Sequence, residues 1–83
     1  MNILYFAWVR ERIGLGQEEI TPPADARTVA DIVRWLAGRT DAHASALGEP
    51  EKLRAALDQV FVPLDATFAD ARELALFPPV TGG

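Results

Sequence analysis

Hydrophobic positions fall into short blocks separated by Gly, Pro and charged residues, and their spacing changes along the chain from strand-like to helix-like and back. Ile3-Leu4-Tyr5-Phe6-Ala7-Trp8-Val9 is apolar throughout and ends at Arg10-Glu11-Arg12, which predicts a strand. Alternation places Ile3, Tyr5, Ala7 and Val9 on one face and Leu4, Phe6 and Trp8 on the other. Gly14 and Gly16 predict a turn, and Gln17 to Ile20 a short return strand that Pro22 and Pro23 interrupt. Thr28 is a good helix N-cap, Asp31 stands where a capping box has its acid, and Val29, Ile32, Val33 and Leu36 recur at helical spacing. The spacing predicts a helix over 29–37, closed by Gly38.

From Arg39 to Pro50 the periodicity is weak, with Ala42, Ala44 and Ala46 between polar residues, so a loop with at most a short helical turn is expected. Glu51 to Leu57 reads as helix by propensity, yet it precedes the plain strand material Val60-Phe61-Val62. Asp58-Gln59 between them fits a two-residue hairpin turn, although glycine would be the stronger second member. Pro63 to Arg72 carries turn residues, and Glu73-Leu74-Ala75-Leu76-Phe77 alternates as the last strand.

The order β-β-α-β-β-β predicts an α+β fold: a mixed sheet of four to five strands with one main helix across one face, the ubiquitin-like β-grasp arrangement. The expected organisation is one domain over 1–77 and an extended tail over 78–83. Ile3, Tyr5, Val60, Val62, Leu74 and Leu76 are expected to pack against Val29, Ile32, Val33 and Leu36, which turns Phe6, Phe61 and Phe77 away from the helix. Several apolar rings on one sheet face either mark a protein contact or lie under a loop over 42–49.

Composition narrows the function. Eighty-three residues make a single small domain, and 49% hydrophobic with 24% charged residues is ordinary for a globule. The formal charge of −4 opposes a nucleic-acid backbone, so no nucleic acid is expected as a partner. No apolar run approaches the ~20 residues of a membrane span, and Met1-Asn2 leads straight into an apolar strand, so a cytoplasmic location is expected, with no membrane partner. Cysteine is absent, which excludes disulfides and thiolate chemistry on this chain. His43 is the single histidine and has no metal-ligand spacing around it, so no metal site is expected. Trp8 and Trp35 are expected to fill volume.

The most specific chemistry lies in Phe77-Pro78-Pro79-Val80-Thr81-Gly82-Gly83. Two prolines stop the strand and favour an extended exit, and at roughly 3.3 Å per residue the last carboxylate can reach about 20 Å from Phe77. Gly-Gly can thread where a Cβ would collide. The tail is either a frayed end or a reactive extremity that enters a neighbour's pocket. A terminal carboxylate is an anion near neutral pH and must be activated before it reacts as an acyl group. The chain lacks a Gly-x-x-x-x-Gly-Lys-Ser/Thr loop, so an ATP-using partner is implied, with no cofactor on the chain itself.

Tyr5-Phe6-Ala7-Trp8-Val9-Arg10-Glu11, Ala56-Leu57-Asp58-Gln59 and the ending Phe77 to Gly83 together resemble the small subunit of molybdopterin synthase, the MoaD-type sulfur carriers, over essentially the whole length. Asp58 stands where that family usually has Asn, and Ala71 where it usually has Gly, the second departure bearing on the turn before the last strand. The resemblance implies that an adenylyltransferase related to ubiquitin-activating enzymes adenylates Gly83 with ATP, and that a sulfur donor converts it to a thiocarboxylate. It further implies that the large catalytic subunit receives the tail, and that the sulfur goes to cyclic pyranopterin monophosphate in molybdenum cofactor biosynthesis. The chain is then a non-catalytic subunit, usually within a heterotetramer. Gly83 is the chemical residue, and Gly82, Thr81, Val80, Pro79 and Pro78, with Phe77, Phe61 and Phe6, contact the partner. Arg10 is a candidate polar contact beside them. A thiamine-type sulfur carrier, a ubiquitin-like protein modifier and an interaction module with an inert tail share parts of this pattern.

Overall fold

A computed structural model describes residues 1–79 of the chain. Five strands form one mixed sheet: β1 (Asn2–Tyr5), β2 (Gln17–Glu19), β3 (Arg54–Leu57), β4 (Val60–Val62) and β5 (Glu73–Phe77), in the order β2-β1-β5-β3-β4. β1 and β5 run parallel at the centre, with Tyr5 beside Leu76, and the remaining pairs are antiparallel. The expected α+β sheet and main helix are present.

That main helix, α2 (Val29–Ala37), begins where the sequence places it. Thr28 Oγ1 accepts from the Asp31 N–H at 3.2 Å, and the Asp31 carboxylate accepts from the Thr28 N–H at 3.0 Å, so two otherwise orphaned donors are satisfied reciprocally. Val29, Ile32, Val33 and Leu36 all face inward and are buried. They meet Ile3, Tyr5, Leu74, Leu76 and Ala55 from the sheet in a single core.

Two further helices correct the sequence reading. The first strand stops at Tyr5, and residues expected to extend it form α1 (Ala7–Ile13), closed by Gly14. Val9 and Ile13 are one helical turn apart and both buried, so an apolar block that alternates acceptably as a strand satisfies a helix equally well. Gly14 decides between them: its φ of 87° is the left-handed conformation that ends a helix, and its N–H donates to the Arg10 carbonyl at 2.9 Å. The second addition is α3 (Asp41–Leu47), in the stretch expected to be loop. Thr40 caps it, and His43, Ala46 and Leu47 form its buried face, which is short and alanine-rich and so leaves little hydrophobic periodicity to read. Gly48 follows because a Cβ there would lie 2.6 Å from the Ala44 carbonyl oxygen.

The ambiguous stretch resolves as a 3-10 turn over Pro50–Lys52 and then β3. Asp58 and Gln59 form the two-residue turn to β4, with φ of 47° and 71°, the twist that joins tightly paired strands. Asp58 does more than turn the chain. Its Oδ1 accepts from the backbone N–H groups of Arg72 and Glu73, both at 3.0 Å, and thereby fixes the entry to β5. The preceding turn places its positive φ, 41°, on Ala69 and not on Ala71, so Ala71 meets no left-handed demand.

Val60 departs from the expected core. It is 64% exposed, because it follows the turn at the tip of edge strand β4, whereas Val62, farther along, packs partly against the core. Trp35 is 37% exposed, with the Arg39 guanidinium 5.0 Å from its ring centroid, so it covers surface where volume filling was expected. Trp8 packs partly against the core with Arg12 over its other side.

Candidate functional site

The helix-free face of the sheet is built from alternate residues of β3, β4 and β5. Register pairs Arg54 with Phe77, Ala56 with Ala75 and Ala56 with Phe61, so these five side chains share one face. Ala56 and Ala75 are buried yet stand outside the main core, small enough to let larger neighbours lie over them. Phe61 is 79% exposed, and its ring centroid lies 5.6 Å from that of half-buried Phe77 in a tilted pair. Such a contact stabilises the two rings against each other while leaving most of one ring in water.

Beside the rings lies a groove of about 430 Å³ lined by Arg54, Ala55, Phe61, Val62, Pro63 and Phe77. It sits at the end of the sheet where β5 finishes and Pro78-Pro79 leave, both half-buried and outside regular structure. Phe6 is at this same end, 47% exposed, and its N–H donates to the Leu76 carbonyl at 3.2 Å. Its backbone caps α1, and among the described residues the aromatic pairs are Phe61–Phe77 and Tyr5–His43, so Phe6 borders the phenylalanine pair without joining it. The alternative in which a loop over 42–49 covers these rings does not hold, because that segment is α3, packed against α1 and α2 on the opposite side of the sheet.

Arg54 belongs to this surface although the sequence reading left it out. Strand register alone, which sets it level with Phe77, marks it out, and the sequence carries no signal for it. The guanidinium donates through Nη1 to the carbonyls of Leu53 at 2.8 Å and Glu51 at 3.5 Å. Arg10 is one helical turn from Phe6, whose carbonyl accepts its N–H at 3.4 Å, and its guanidinium lies against Gly16, where it would meet an added Cβ at 3.3 Å. Val80, Thr81, Gly82 and Gly83 lie outside the described residues.

His43 is not in a loop but inside α3, 6% exposed. Its Nδ1 is 2.7 Å from Thr40 Oγ1 and its Nε2 is 2.7 Å from Glu18 Oε2, to which Tyr5 also donates at 2.7 Å. Arg39 meets the other Glu18 oxygen at 3.1 Å. This network ties α3 to β1 and β2. Among the described residues no cluster of three or more His, Cys, Asp or Glu is arranged to hold a metal, and no helix is long and apolar enough to cross a membrane.

The Phe61–Phe77 pair and its groove stand where Pro78-Pro79 leave the last strand, and comparison with relatives adds the family. The sequence profile of the ThiS family matches residues 3–83. The chain belongs to the ThiS family. The Escherichia coli molybdopterin synthase sulfur carrier subunit is 42% identical to this ThiS-family chain over 83 residues, covering 100% of this chain and 99% of that protein. The Haemophilus influenzae protein of the same name is 40% identical over the same coverage. The crystal structure of SAMP1 from Haloferax volcanii superposes on this ThiS-family chain with a TM-score of 0.75 at 30% identity, covering 100% of this chain and 98% of that one. A putative molybdopterin converting factor subunit 1 from Pyrococcus furiosus, 23% identical with a TM-score of 0.66 and 95% coverage of each chain, shares the fold.

Proposed function

We infer that the chain is the sulfur-carrier subunit of molybdopterin synthase, a non-catalytic subunit that brings sulfur to the large catalytic subunit for molybdenum cofactor biosynthesis. The observation that carries this is the full-length identity of 42% with a sulfur carrier subunit of that synthase, which also favours the pterin pathway over a thiazole one.

Gly83, the last residue of the sequence, is the reacting group in this proposal, and 78–83 act as an extended tail on the 1–77 domain. Its carboxylate attacks the α-phosphate of ATP in an adenylyltransferase related to ubiquitin-activating enzymes, releasing pyrophosphate. A sulfur donor attacks the acyl carbon, AMP leaves, and a terminal thiocarboxylate remains. ATP is bound by that partner and not by this chain. The thiocarboxylate sulfur then attacks cyclic pyranopterin monophosphate in the large subunit, water cleaves the resulting acyl–sulfur bond and returns Gly83 to its carboxylate, and two deliveries supply the two sulfurs of the dithiolene. A cytoplasmic location, where ATP is at hand for the partner, is part of this proposal.

The fold supports the division of labour. The groove at the tail root offers rings and one guanidinium, which suits the holding of a partner. Pro78 and Pro79 restrict the tail before it binds and so reduce the entropy lost when it orders. Gly82 keeps Cβ atoms out of the channel that takes Gly83.

Complementation tests the assignment. In a strain lacking its own pterin sulfur carrier, the chain should restore molybdenum-enzyme activity, and the chain without Gly83, or with one residue appended after it, should not. Restoration of thiazole synthesis without pterin sulfuration would overturn the assignment.

A further inference from the structure

The groove at the tail root is cationic in a protein that is acidic overall. The chain has 12 Asp and Glu against 8 Lys and Arg, yet Arg54 is the one charged residue among the six that line this groove. The contrast with other surface depressions is direct. Asp25 and Asp31 accompany Arg34 in one, and Glu11 accompanies Arg10 in another, so each of those carries its own counter-charge. Arg34 is moreover paired with Asp31 at 3.3 Å.

Arg54 has no carboxylate within ion-pair distance among the described residues. It is exposed, and its two hydrogen bonds to main-chain carbonyls both use Nη1. Carbonyl contacts fix the guanidinium at the rim without neutralising it, and they leave Nε and Nη2 to point a planar fork at a carboxylate. Opposite Phe77 on the same face, the fork stands at the edge of a desolvating aromatic patch, where a charge-assisted bond gains strength as water is excluded.

We propose that Arg54 is the charge-selecting contact of this docking surface and receives a carboxylate from the large synthase subunit, whose apolar side chain fills the groove against Phe61 and Phe77. The inference rests on the reading of the Phe61–Phe77 face as the docking surface and adds to it the chemistry of the occupant: an apolar projection flanked by Asp or Glu. A partner presenting Lys or Arg at that point is rejected, because two cations meet beside rings that exclude water.

Titration calorimetry of the full chain with the large synthase subunit, at about 0.05 M and about 0.5 M salt, tests this. Arg54→Leu keeps apolar cover and should weaken binding about tenfold at low salt, with the deficit shrinking at high salt, whereas Arg54→Glu should weaken it about thirtyfold or more. Reversing the facing carboxylate of the large subunit to Arg should restore binding to Arg54→Glu. Circular dichroism should show both variants folded, since Arg54 is exposed; if Arg54→Glu fails to fold, Arg54→Leu with its salt dependence carries the test alone. Binding of both Arg54 variants within about twofold of the unaltered chain, with Phe61→Asp defective, would overturn the Arg54 contact and leave the docking surface standing. If Phe61→Asp also binds normally, the docking surface itself fails and the Arg54 inference with it.

Discussion

Glu18 on β2 and His43 on α3 meet at 2.7 Å between Oε2 and Nε2, joining the edge of the sheet to the helix layer across 25 positions of sequence. Thr40 Oγ1 accepts the His43 N–H at 3.0 Å and lies 2.7 Å from Nδ1, so both ring nitrogens of His43 have a partner. Among the described residues no buried side-chain nitrogen or oxygen lacks a partner. The polar cluster therefore holds α3 in place without leaving an unpaired group inside.

This contact makes acid stability depend on Glu18. Burial, the largest single influence, raises its pKa; hydrogen bonds from His43 and Tyr5, then the charges of His43 and Arg39, outweigh burial and leave the carboxyl below its ordinary 4.5. A group whose folded pKa is lowered adds stability above its unfolded pKa and loses it as pH falls through the folded value. Urea midpoints should therefore separate the unaltered chain from Glu18→Gln near neutral pH and converge below pH 4.5. Asp31, lowered chiefly by the backbone N–H groups of Arg27 and Thr28, titrates in the same direction in both proteins and cancels in the comparison. His43→Ala should cost about 2–4 kcal/mol near neutral pH, from the lost side chain and the buried carboxylate oxygen it leaves.

Tyr5 supplies the alkaline counterpart. Burial first, then its hydrogen bond to Glu18, pushes its pKa far above the ordinary 10.0. A raised pKa means stability that is complete below pH 10.0 and declines as pH climbs beyond it. The chain has a single tyrosine, so phenolate absorbance reports this residue alone. Absorbance should rise only together with unfolding measured by circular dichroism, and a phenolate that forms near pH 10.0 in the folded protein would contradict the buried contact.

Gln59 occupies a left-handed position, with φ of 71°, at the second place of the β3–β4 turn. Glycine there carries no Cβ penalty, so Gln59→Gly should raise stability by about 0.5–1 kcal/mol after the entropy of the more flexible unfolded chain is deducted. Denaturant titration gives the value. An unchanged or lowered midpoint would show that the turn is not held in this conformation.

Much of this fold is legible in one sequence. Thr28 and Asp31 announce α2, Leu74 and Leu76 alternate as the central strand, and Asp58-Gln59 marks the hairpin. What escapes reading does so for physical reasons. Trp8 and Val9 suit a strand face or a helix face equally, and only the left-handed Gly14 separates the two. In α3 the buried face is His43, Ala46 and Leu47, in which tertiary contact with Glu18 replaces a hydrophobic stripe. On the helix-free face of the sheet, Phe61 and Phe77 are brought together as their outward alternation implies, while Phe6 is drawn aside because its backbone starts α1. Arg54 is one of 8 Lys and Arg, and nothing distinguishes it until strand register sets it opposite Phe77.

Phe61→Asp separates docking from stability. With 79% of the residue in water, its loss should change the unfolding free energy by no more than about 1 kcal/mol, while binding to the large subunit should fall by about a hundredfold. Thermal unfolding and calorimetry on the same preparation check both halves. Equal losses of stability and binding would mean that the ring serves the fold.

Thiocarboxylation of Gly83 is read by mass spectrometry of the intact chain after incubation with an adenylyltransferase of the proposed kind, ATP and a sulfur donor. The expected product is heavier by the exchange of one oxygen for one sulfur, localised by fragmentation to Gly83 and absent when ATP is omitted. An unmodified chain under conditions in which the adenylyltransferase is demonstrably active, or sulfur located anywhere but Gly83, would contradict it.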